Sequence, residues 1–250
     1  MVPRVPSGQA PRVPSAQHFD FTSLTFHDVT RTFGRRRALN RVSFTCQAGQ
    51  LVALLGANGA GKSTLLSIAA TLLDPSDGRV LYGDRTAGDG GAALRGRIGL
   101  LGHDLYIYPE LTAAENLAFF GRLYGVSDVD RAVTAALGHA VLADRAHDPV
   151  GSFSRGMRQR LALERALIHS PRLLLLDEPF TGLDDVSSAA LRQRLATVRD
   201  AGAIVIVTTH DLEAIEAIVD VAYVLVRGRA ELLQTGAGSL RERYRGHVVS

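Results

Sequence analysis

Short apolar runs alternate with helical patterns along most of the chain. The runs at Leu51–Leu55, 173–176 and 203–209 contain almost no charged residues, as expected for strands buried on both faces. Apolar residues recur with helical spacing near 65–73, where a helix is expected to continue to the proline that follows, and again near 186–200. This alternation predicts an α/β fold with a mostly parallel core sheet that is covered by helices.

Two further patterns flank or interrupt this core. Alternating apolar and polar residues in FDFTSLTFHDVT (19–30) and ALNRVSFTC (38–46) predict an N-terminal antiparallel β subdomain. The basic sequence GRRR at 34–37 is interpreted as a solvated turn between these strands. Residues of about 104–168 follow a helical pattern, and we expect them to form a separate helical lobe.

The chain is expected to contain one domain with a tail at each end. Residues 1–20 contain the imperfect repeat PRVPSGQ and PRVPSAQ, and their low apolar content predicts a disordered, proline-rich tail. Residues 21–240 fit the length of one α/β domain, and 241–250 are predicted to be a C-terminal tail.

Composition excludes several classes of protein. With 46% hydrophobic and 21% charged residues the chain is typical of globular proteins, and the single cysteine, Cys46, excludes a disulfide framework or a cysteine zinc site. The apolar runs are too short to cross a membrane, and the N-terminal residues do not suggest a secretion signal. A net charge of +3 is too small to indicate a nucleic-acid partner, and we expect none.

A phosphate-binding loop is the strongest candidate for chemistry. The sequence GANGAGKS at 56–63 fits the pattern G-x-x-x-x-G-K-[ST] between a predicted strand and a predicted helix. Lys62 is the only lysine among 28 lysine and arginine residues, which favours a specific role for its compact ammonium group at the β- and γ-phosphates. Ser63 is expected to bind Mg²⁺. The expected nucleotide-binding residues of the loop are Gly56, Ala57, Asn58, Gly59, Ala60, Gly61, Lys62, Ser63 and Thr64.

Two carboxylates follow the apolar run at 173–176. Ligands bind at the carboxyl ends of strands in open α/β sheets, so Asp177 and Glu178 are candidate site residues. Asp177 is expected to hold Mg²⁺, directly or through water, and Glu178 to orient or deprotonate the attacking water. Such a pair alone is often a solvated turn, but its combination with the loop around Lys62 favours the catalytic interpretation.

Several motifs together resemble those of the nucleotide-binding subunits of ATP-binding cassette (ABC) transporters. The resemblance covers about residues 22–235 and implies a phosphate-loop ATPase of the ABC type that uses ATP and Mg²⁺. Besides the phosphate loop, its motifs are Phe33, the signature-like FSRGMRQR at 153–160, LLLLDEP at 173–179, Gly182-Leu183-Asp184, and His210 in TTHD.

The resemblance implies roles for individual residues. Phe33 would stack on adenine, although a phenylalanine in a β-rich region is more often a core residue. His210 would contact the γ-phosphate as a catalytic residue, with a purely structural histidine as the alternative. Ser154 is expected to cap a helix, and the start of this helix, with Gly156, would contact the γ-phosphate bound by a second copy. Asp184 belongs to the loop that follows LLLLDEP.

The resemblance also implies partners and a location. These are a head-to-tail homodimer with two ATP molecules, a separate membrane permease, and a peripheral position at the cytoplasmic face of the cell (inner) membrane.

The chain departs from the family pattern at two places. Arg155 and Met157 replace a glycine and a glutamine of the signature, so the backbone donors remain but the glutamine hydrogen bonds are absent. His103 stands where the family has a glutamine that communicates with the helical lobe, and the adjacent Asp104 offers an alternative oxygen ligand.

The string IGLLGHDLYIYPEL, which begins at Ile98, is similar to the ATP-binding subunit of the haem exporter of cytochrome c maturation. Haem export is therefore the first expectation, and a multidrug- or polysaccharide-type exporter ATPase is the alternative. A soluble ABC ATPase acting on ribosomes or DNA is a third candidate, disfavoured because neither a second cassette nor a long coiled-coil insertion is evident.

Overall fold

The computed structural model describes residues 19–234 and 238–249. Its strands are β1 (Ser23–Phe33), β2 (Arg36–Gln47), β3 (Leu51–Leu55), β4 (Asp77–Tyr82), β5 (Arg85–Thr86), β6 (Ile98–Leu101), β7 (Leu173–Asp177), β8 (Ile204–Thr208), β9 (Val221–Val226) and β10 (Arg229–Leu232). Its helices are α1 (Lys62–Ala69), α2 (Ala87–Arg95), α3 (Ala113–Leu123), α4 (Val129–His139), α5 (Arg155–Leu167), α6 (Asp185–Asp200), α7 (Leu212–Glu216) and α8 (Leu240–Val249), with 3₁₀ turns at Ala143–Arg145 and Val150–Ser152.

The core is a six-stranded sheet with the order β10-β9-β3-β8-β7-β6. All neighbouring pairs are parallel except β9 and β10, which form an antiparallel hairpin. Every residue of β3 and β8 is buried, because α5 and α6 cover one face of the sheet, while α1 and the N-terminal strands cover the other. The mostly parallel core expected from the continuous apolar runs is confirmed.

A second sheet, with the order β2-β1-β4-β5, is antiparallel throughout and corresponds to the predicted N-terminal β subdomain. Its first hairpin turns at Gly34 and Arg35, with Gly34 at a positive φ of 55°. The turn is therefore shorter than the predicted 34–37, since Arg36 and Arg37 already belong to β2. Phe33 pairs with Arg36 across this hairpin.

Helix α1 ends earlier than its apolar pattern predicts. The helix stops at Ala69, and Thr71 adopts a left-handed conformation with φ of 59°. Leu72, which the pattern placed on the buried face, is 61% exposed. The expected helix end near residue 73 was wrong, because the left-handed conformation of Thr71 interrupts the helix before Leu72.

The segment predicted as a helical lobe contains α3, α4 and α5 and has its own apolar cluster. Helix α3 begins with a capping box, in which Thr112 and Glu115 bond each other's backbone N–H groups. Helix α5 joins this lobe to the core, because Leu161 packs in the lobe cluster while Leu163 and Ala166 pack against the central sheet.

Both predicted tails differ from expectation where the structure describes them. Most of the proline-rich segment 1–20 lies outside the described residues, but Phe19 is buried. Asp20 forms a bidentate ion pair with Arg172, in which its two carboxylate oxygens accept from the guanidinium at 2.6 and 2.8 Å. The segment 241–250 belongs mostly to helix α8, whose Leu240 is buried in the core cluster. Apolar contacts at its first residue anchor this helix to the domain.

A buried ion pair fastens the helical lobe to the core. Glu164 of α5 is 2% exposed, and both its carboxylate oxygens accept from Arg194 of α6 at 2.8 Å. His139 of α4 lies 3.6 Å from the same carboxylate. Three helices therefore meet at one charged group that has been removed from water.

We expect that Arg194→Ala lowers the free energy of unfolding by about 3 kcal/mol, because it leaves the Glu164 carboxylate buried without its guanidinium partner. Urea denaturation measures the change. Arg192→Ala is the matched control, since it removes the same charge two residues earlier on α6 and should change stability by less than about 0.5 kcal/mol. Equal losses in the two variants would contradict a stabilising role for the ion pair.

Candidate active site

An open cleft lies where the carboxyl ends of β3 and β7 meet the tip of the β1–β2 hairpin. Its volume of about 480 Å³ is within the usual range of small-molecule sites. Most of the residues expected to bind a nucleotide converge on it. The cleft is lined by Phe33, Arg36, Ala38, Asn58, Gly59, Gly61, Lys62, Ser63, Thr64, His103, Asp177 and Glu178.

The loop between β3 and α1 has the backbone that a phosphate cradle requires. Gly56 and Gly61 adopt positive φ values of 139° and 109°, a region that L side chains rarely occupy. A Cβ at either position would come within 2.6 Å of a backbone oxygen, that of Leu225 at Gly56 and that of Ala38 at Gly61. Glycine is therefore needed both for the turn and for the close packing of the loop.

Lys62 begins α1 and is held inside this loop. Its side chain is buried, and Nζ donates to the carbonyl oxygens of Gly56 at 2.7 Å and Ala57 at 3.2 Å. The ammonium group is thus fixed by backbone acceptors, and no carboxylate among residues 19–234 and 238–249 forms an ion pair with it. It supplies positive charge to the cleft together with the N-terminal dipole of α1.

Asp177 ends β7 beside Thr208, the last residue of β8. The Thr208 hydroxyl is fully buried, donates to Asp177 Oδ1 and accepts from the backbone N–H of Glu178 at 3.1 Å. One threonine therefore orients the carboxylate of Asp177 and the backbone of its neighbour. Sequence analysis did not identify Thr208; the TTHD string contains it, but only the register with Asp177 reveals the contact.

Glu178 follows in a left-handed conformation with φ of 52°, which turns the chain out of the strand. Its Oε2 accepts from His210 Nδ1 at 2.8 Å and from the backbone N–H of the same residue at 3.3 Å. The structure therefore brings together Glu178 and His210, two of the three residues that were expected to act in catalysis, the third being Lys62.

The oxygen donors in the cleft suit a magnesium ion. Ser63 and Asp177 both line it, and Mg²⁺ prefers oxygen ligands while keeping several waters or phosphate oxygens. No group of three or more His, Cys, Asp or Glu side chains is placed to hold a metal within residues 19–234 and 238–249.

Phe33 is exposed at the hairpin tip, as a base-stacking ring must be. Its exposed fraction is 46%, and the guanidinium of Arg31 lies over the ring, 4.7 Å from the centroid. Arg31 is itself fixed by a hydrogen bond to the carbonyl of Asp74 at 2.9 Å. The alternative of a core phenylalanine is not what the structure shows.

Seven of the predicted site residues are not among those that line the cleft. Gly56, Ala57 and Ala60 belong to the phosphate loop, and His210 bonds Glu178, whereas the other three lie at the starts of two helices. Ser154 caps α5 and accepts from the Met157 N–H at 3.2 Å, and Gly156 lies in the first turn of that helix. Asp184 caps α6 by accepting from the Ser187 N–H at 2.7 Å, and this hydrogen bond lowers the pKa of its carboxyl. These residues contribute two helix starts but do not meet the phosphate loop of the same chain.

Of the two candidates for the missing glutamine, His103 lines the cleft, whereas Asp104 is exposed beside it and does not. Arg36 and Ala38 also line the cleft, although sequence analysis did not select either. The basic sequence at 34–37 could have indicated that Arg36 is a site residue, but it was interpreted as a solvated turn.

Comparisons with known proteins agree with this geometry. A family model described as "ABC transporter" matches residues 39–181. The chain is 35% identical to the ABC transporter ATP-binding protein NatA of Bacillus subtilis over 221 residues, which cover 86% of this chain and 89% of NatA. It is 34% identical to the linearmycin resistance ATP-binding protein LnrL of the same organism, covering 79% of this chain and 64% of LnrL.

A Nod factor export ATP-binding protein I of Bradyrhizobium diazoefficiens is 36% identical, over 80% of this chain and 66% of that protein. The chain thus spans about two thirds of some relatives and most of NatA.

Two solved structures share the fold. An ATP-binding subunit of an ABC transporter superposes with a TM-score of 0.83 at 29% identity, covering 91% of this chain and all of that chain. A dimeric ATP-binding cassette in a post-hydrolysis state, bound to ADP and Pi, superposes with a TM-score of 0.77 at 26% identity, covering 85% of this chain and all of that chain.

We expect that Thr208→Val weakens magnesium-dependent nucleotide hydrolysis about tenfold, because Asp177 loses the hydroxyl that orients it. The measurement is the rate as a function of Mg²⁺ concentration, and the half-saturating concentration should rise. Thr208→Ser keeps the hydroxyl and should behave like the unaltered protein. If valine and serine variants respond to Mg²⁺ in the same way, Thr208 does not position Asp177.

Proposed function

The chain belongs to the ABC transporter family as an ATP-binding subunit with ATPase activity, and from this premise we propose that it powers export through a separate membrane permease. One observation carries the proposal: Lys62, Asp177 and Glu178 line one cleft beside a glycine-rich loop. None of the helices in the described part of the chain is long and apolar enough to cross a membrane. A separate membrane-spanning partner would therefore supply the path for the transported molecule.

The phosphate loop and the cleft walls would bind ATP in an extended conformation. Phe33 stacks on the adenine ring, while the N–H groups at 56–64 and the Lys62 ammonium hold the β- and γ-phosphates. Ser63 and Asp177 hold Mg²⁺, which when bound neutralises charge that develops on the phosphates during hydrolysis.

Glu178 acts as the general base toward the attacking water. Its Oε2 is held by His210, so the carboxylate has a defined orientation while its other oxygen accepts the water proton. The water oxygen bonds to the γ-phosphorus, and the bond from that phosphorus to the β–γ bridging oxygen breaks. ADP and inorganic phosphate are the products, and His210 contacts the γ-phosphate from the neighbouring strand end.

Two copies would complete each site. Ser154, Gly156 and Asp184 lie outside the cleft of their own chain, so we assign their contacts to the ATP bound by the partner of a head-to-tail homodimer. The dimeric relative bound to ADP and Pi supports this arrangement. His103 would communicate the nucleotide state of the cleft to the permease. Binding to the permease would keep the protein at the cytoplasmic face of the inner membrane.

The names of the relatives favour one class of transported molecule. NatA carries the general name of an ABC transporter ATP-binding protein, LnrL is named for linearmycin resistance, and the Nod factor proteins are named for export. Haem export, the first expectation from the sequence, gains no support from these names. We therefore propose a multidrug- or polysaccharide-type exporter, which was the alternative.

We expect that Glu178→Gln retains ATP binding but lowers hydrolysis by about 10²–10⁴-fold, because an amide cannot accept the water proton. ATP-bound dimers should accumulate in this variant, as measured by size-exclusion chromatography with ATP and Mg²⁺. Glu110→Gln makes the same change at an exposed residue outside the cleft and should hydrolyse ATP normally. Near-normal turnover by Glu178→Gln would assign the base to another residue, with His210 next.

Membrane association tests the transporter proposal separately. We expect the protein to sediment with membranes only when its cognate permease is co-expressed, and the permease to stimulate its ATPase activity. Co-sedimentation with ribosomes or DNA in the absence of membranes would instead support the soluble ATPase class.

A further inference from the structure

The three consecutive arginines at the tip of the β1–β2 hairpin, Arg35, Arg36 and Arg37, occupy different environments. Arg35 belongs to the turn, and Arg37 donates to the side-chain oxygen of Asn40 at 3.2 Å. Arg36 alone of the three lines the cleft, and its NH2 group donates to the carbonyl oxygen of Gly59 at 3.1 Å. One arginine of the basic turn is thus part of the site.

The hairpin register explains why Arg36 faces the site. Arg36 is the direct cross-strand partner of Phe33, so both side chains project from the same face of the hairpin. That face is one wall of the cleft, and the phosphate loop is the other. The ring and the guanidinium therefore stand side by side opposite the loop.

The guanidinium of Arg36 lies directly against the loop at Gly59. A Cβ at residue 59 would lie 3.2 Å from the Arg36 NH2 group, so that a side chain there would push the guanidinium outward by a few tenths of an ångström. The glycine therefore leaves room for the close approach of Arg36 to the loop.

The guanidinium has unused hydrogen-bonding capacity. A guanidinium carries five N–H donors, and the bond to Gly59 uses one of the two nitrogens at its tip. Asp177 and Glu178, the carboxylates of the cleft, bond Thr208 and His210 and form no ion pair with Arg36. In the described residues, no carboxylate forms an ion pair with Arg36. A planar cation with spare donors in a cleft is suited to an anion with several oxygens.

We propose that Arg36 is a further nucleotide-binding residue, which donates to oxygens of the α- and β-phosphates. This inference rests on the proposed function, because it needs ATP to bind in the cleft with its base at Phe33 and its terminal phosphates at Lys62. Arg36 lies on the wall between those two ends. Its guanidinium would add a second positive charge to the cleft besides that of Lys62.

A merely structural Arg36 would fasten the hairpin to the loop through Gly59 and would not touch the ligand. The two roles differ in charge. A fastening hydrogen bond needs a donor, which glutamine also provides, whereas a phosphate contact needs a cation. An ionic contact also weakens as salt screens it, while a neutral hydrogen bond does so much less.

The experiment compares Arg36→Gln, Arg36→Lys and Arg37→Gln with the unaltered protein, by titrating ADP and ATP at several salt concentrations. Arg37→Gln is the matched control, since it removes the same charge from the next residue of the hairpin. We expect Arg36→Gln to raise Kd for both nucleotides about 10–100-fold and to make binding less sensitive to salt. Arg36→Lys should retain the salt dependence, and Arg37→Gln should stay within about twofold of the unaltered protein.

Thermal unfolding without nucleotide checks that the variants fold equally well. The proposal would be overturned if Arg36→Gln bound the nucleotides as tightly as Arg37→Gln does. It would also be overturned if Arg36→Gln lost affinity while its binding stayed as sensitive to salt as that of the unaltered protein. Lys62→Ala separates this failure from that of the proposed function. If the unaltered protein binds neither nucleotide, or binds both as Lys62→Ala does, the nucleotide site itself is misassigned.

Discussion

The parallel pairing of β7 with β8 places Asp177 opposite Thr208, and the chemistry of the cleft depends on this register. Both strands end at this level, and β3, which pairs with β8 from the other side, ends at the start of the phosphate loop. A slip of one residue in β7 would turn Asp177 to the other face of the sheet. The buried apolar residues of these strands resist such a slip, so the register that packs the core also assembles the site.

Three charged groups of the cleft are held in place by partners within the chain. Lys62 bonds two loop carbonyls, Asp177 bonds Thr208, and Glu178 bonds His210. Fixed partners reduce the reorganisation needed when phosphate and water enter, which is how preorganised sites stabilise developing charge. Under the roles proposed for these residues, movement of His210 toward a γ-phosphate would also reorient Glu178, because His210 bonds its carboxylate.

The sequence was most informative where chemistry requires particular residues at short spacing. The glycines around Lys62 and the carboxylates after an apolar run predicted the loop, the strand end and their convergence, because parallel strands end at a shared edge. Contacts between distant segments could not be predicted in this way. Thr208 meets Asp177 through strand register, and Arg36 reaches Gly59 through hairpin register, neither of which periodicity reveals. Helix α1 ends earlier than its apolar pattern predicts. Leu72 continues the pattern but follows Thr71, whose left-handed conformation an apolar pattern does not encode.

Within one chain, the starts of α5 and α6 are separate from the cleft, which would explain why the assembly needs two copies. The guanidinium of Arg155, at the start of α5, lies beside Gly182 in the loop that precedes α6, and neither helix start lines the cleft. A helix start attracts an anion through its N–H groups and its dipole. The ATP held by a second copy would provide that anion under the proposed dimer. Each ATP would then join the phosphate loop of one chain to the signature helix of the other, so that the dimer closes when ATP binds and loosens when the γ-phosphate is cleaved.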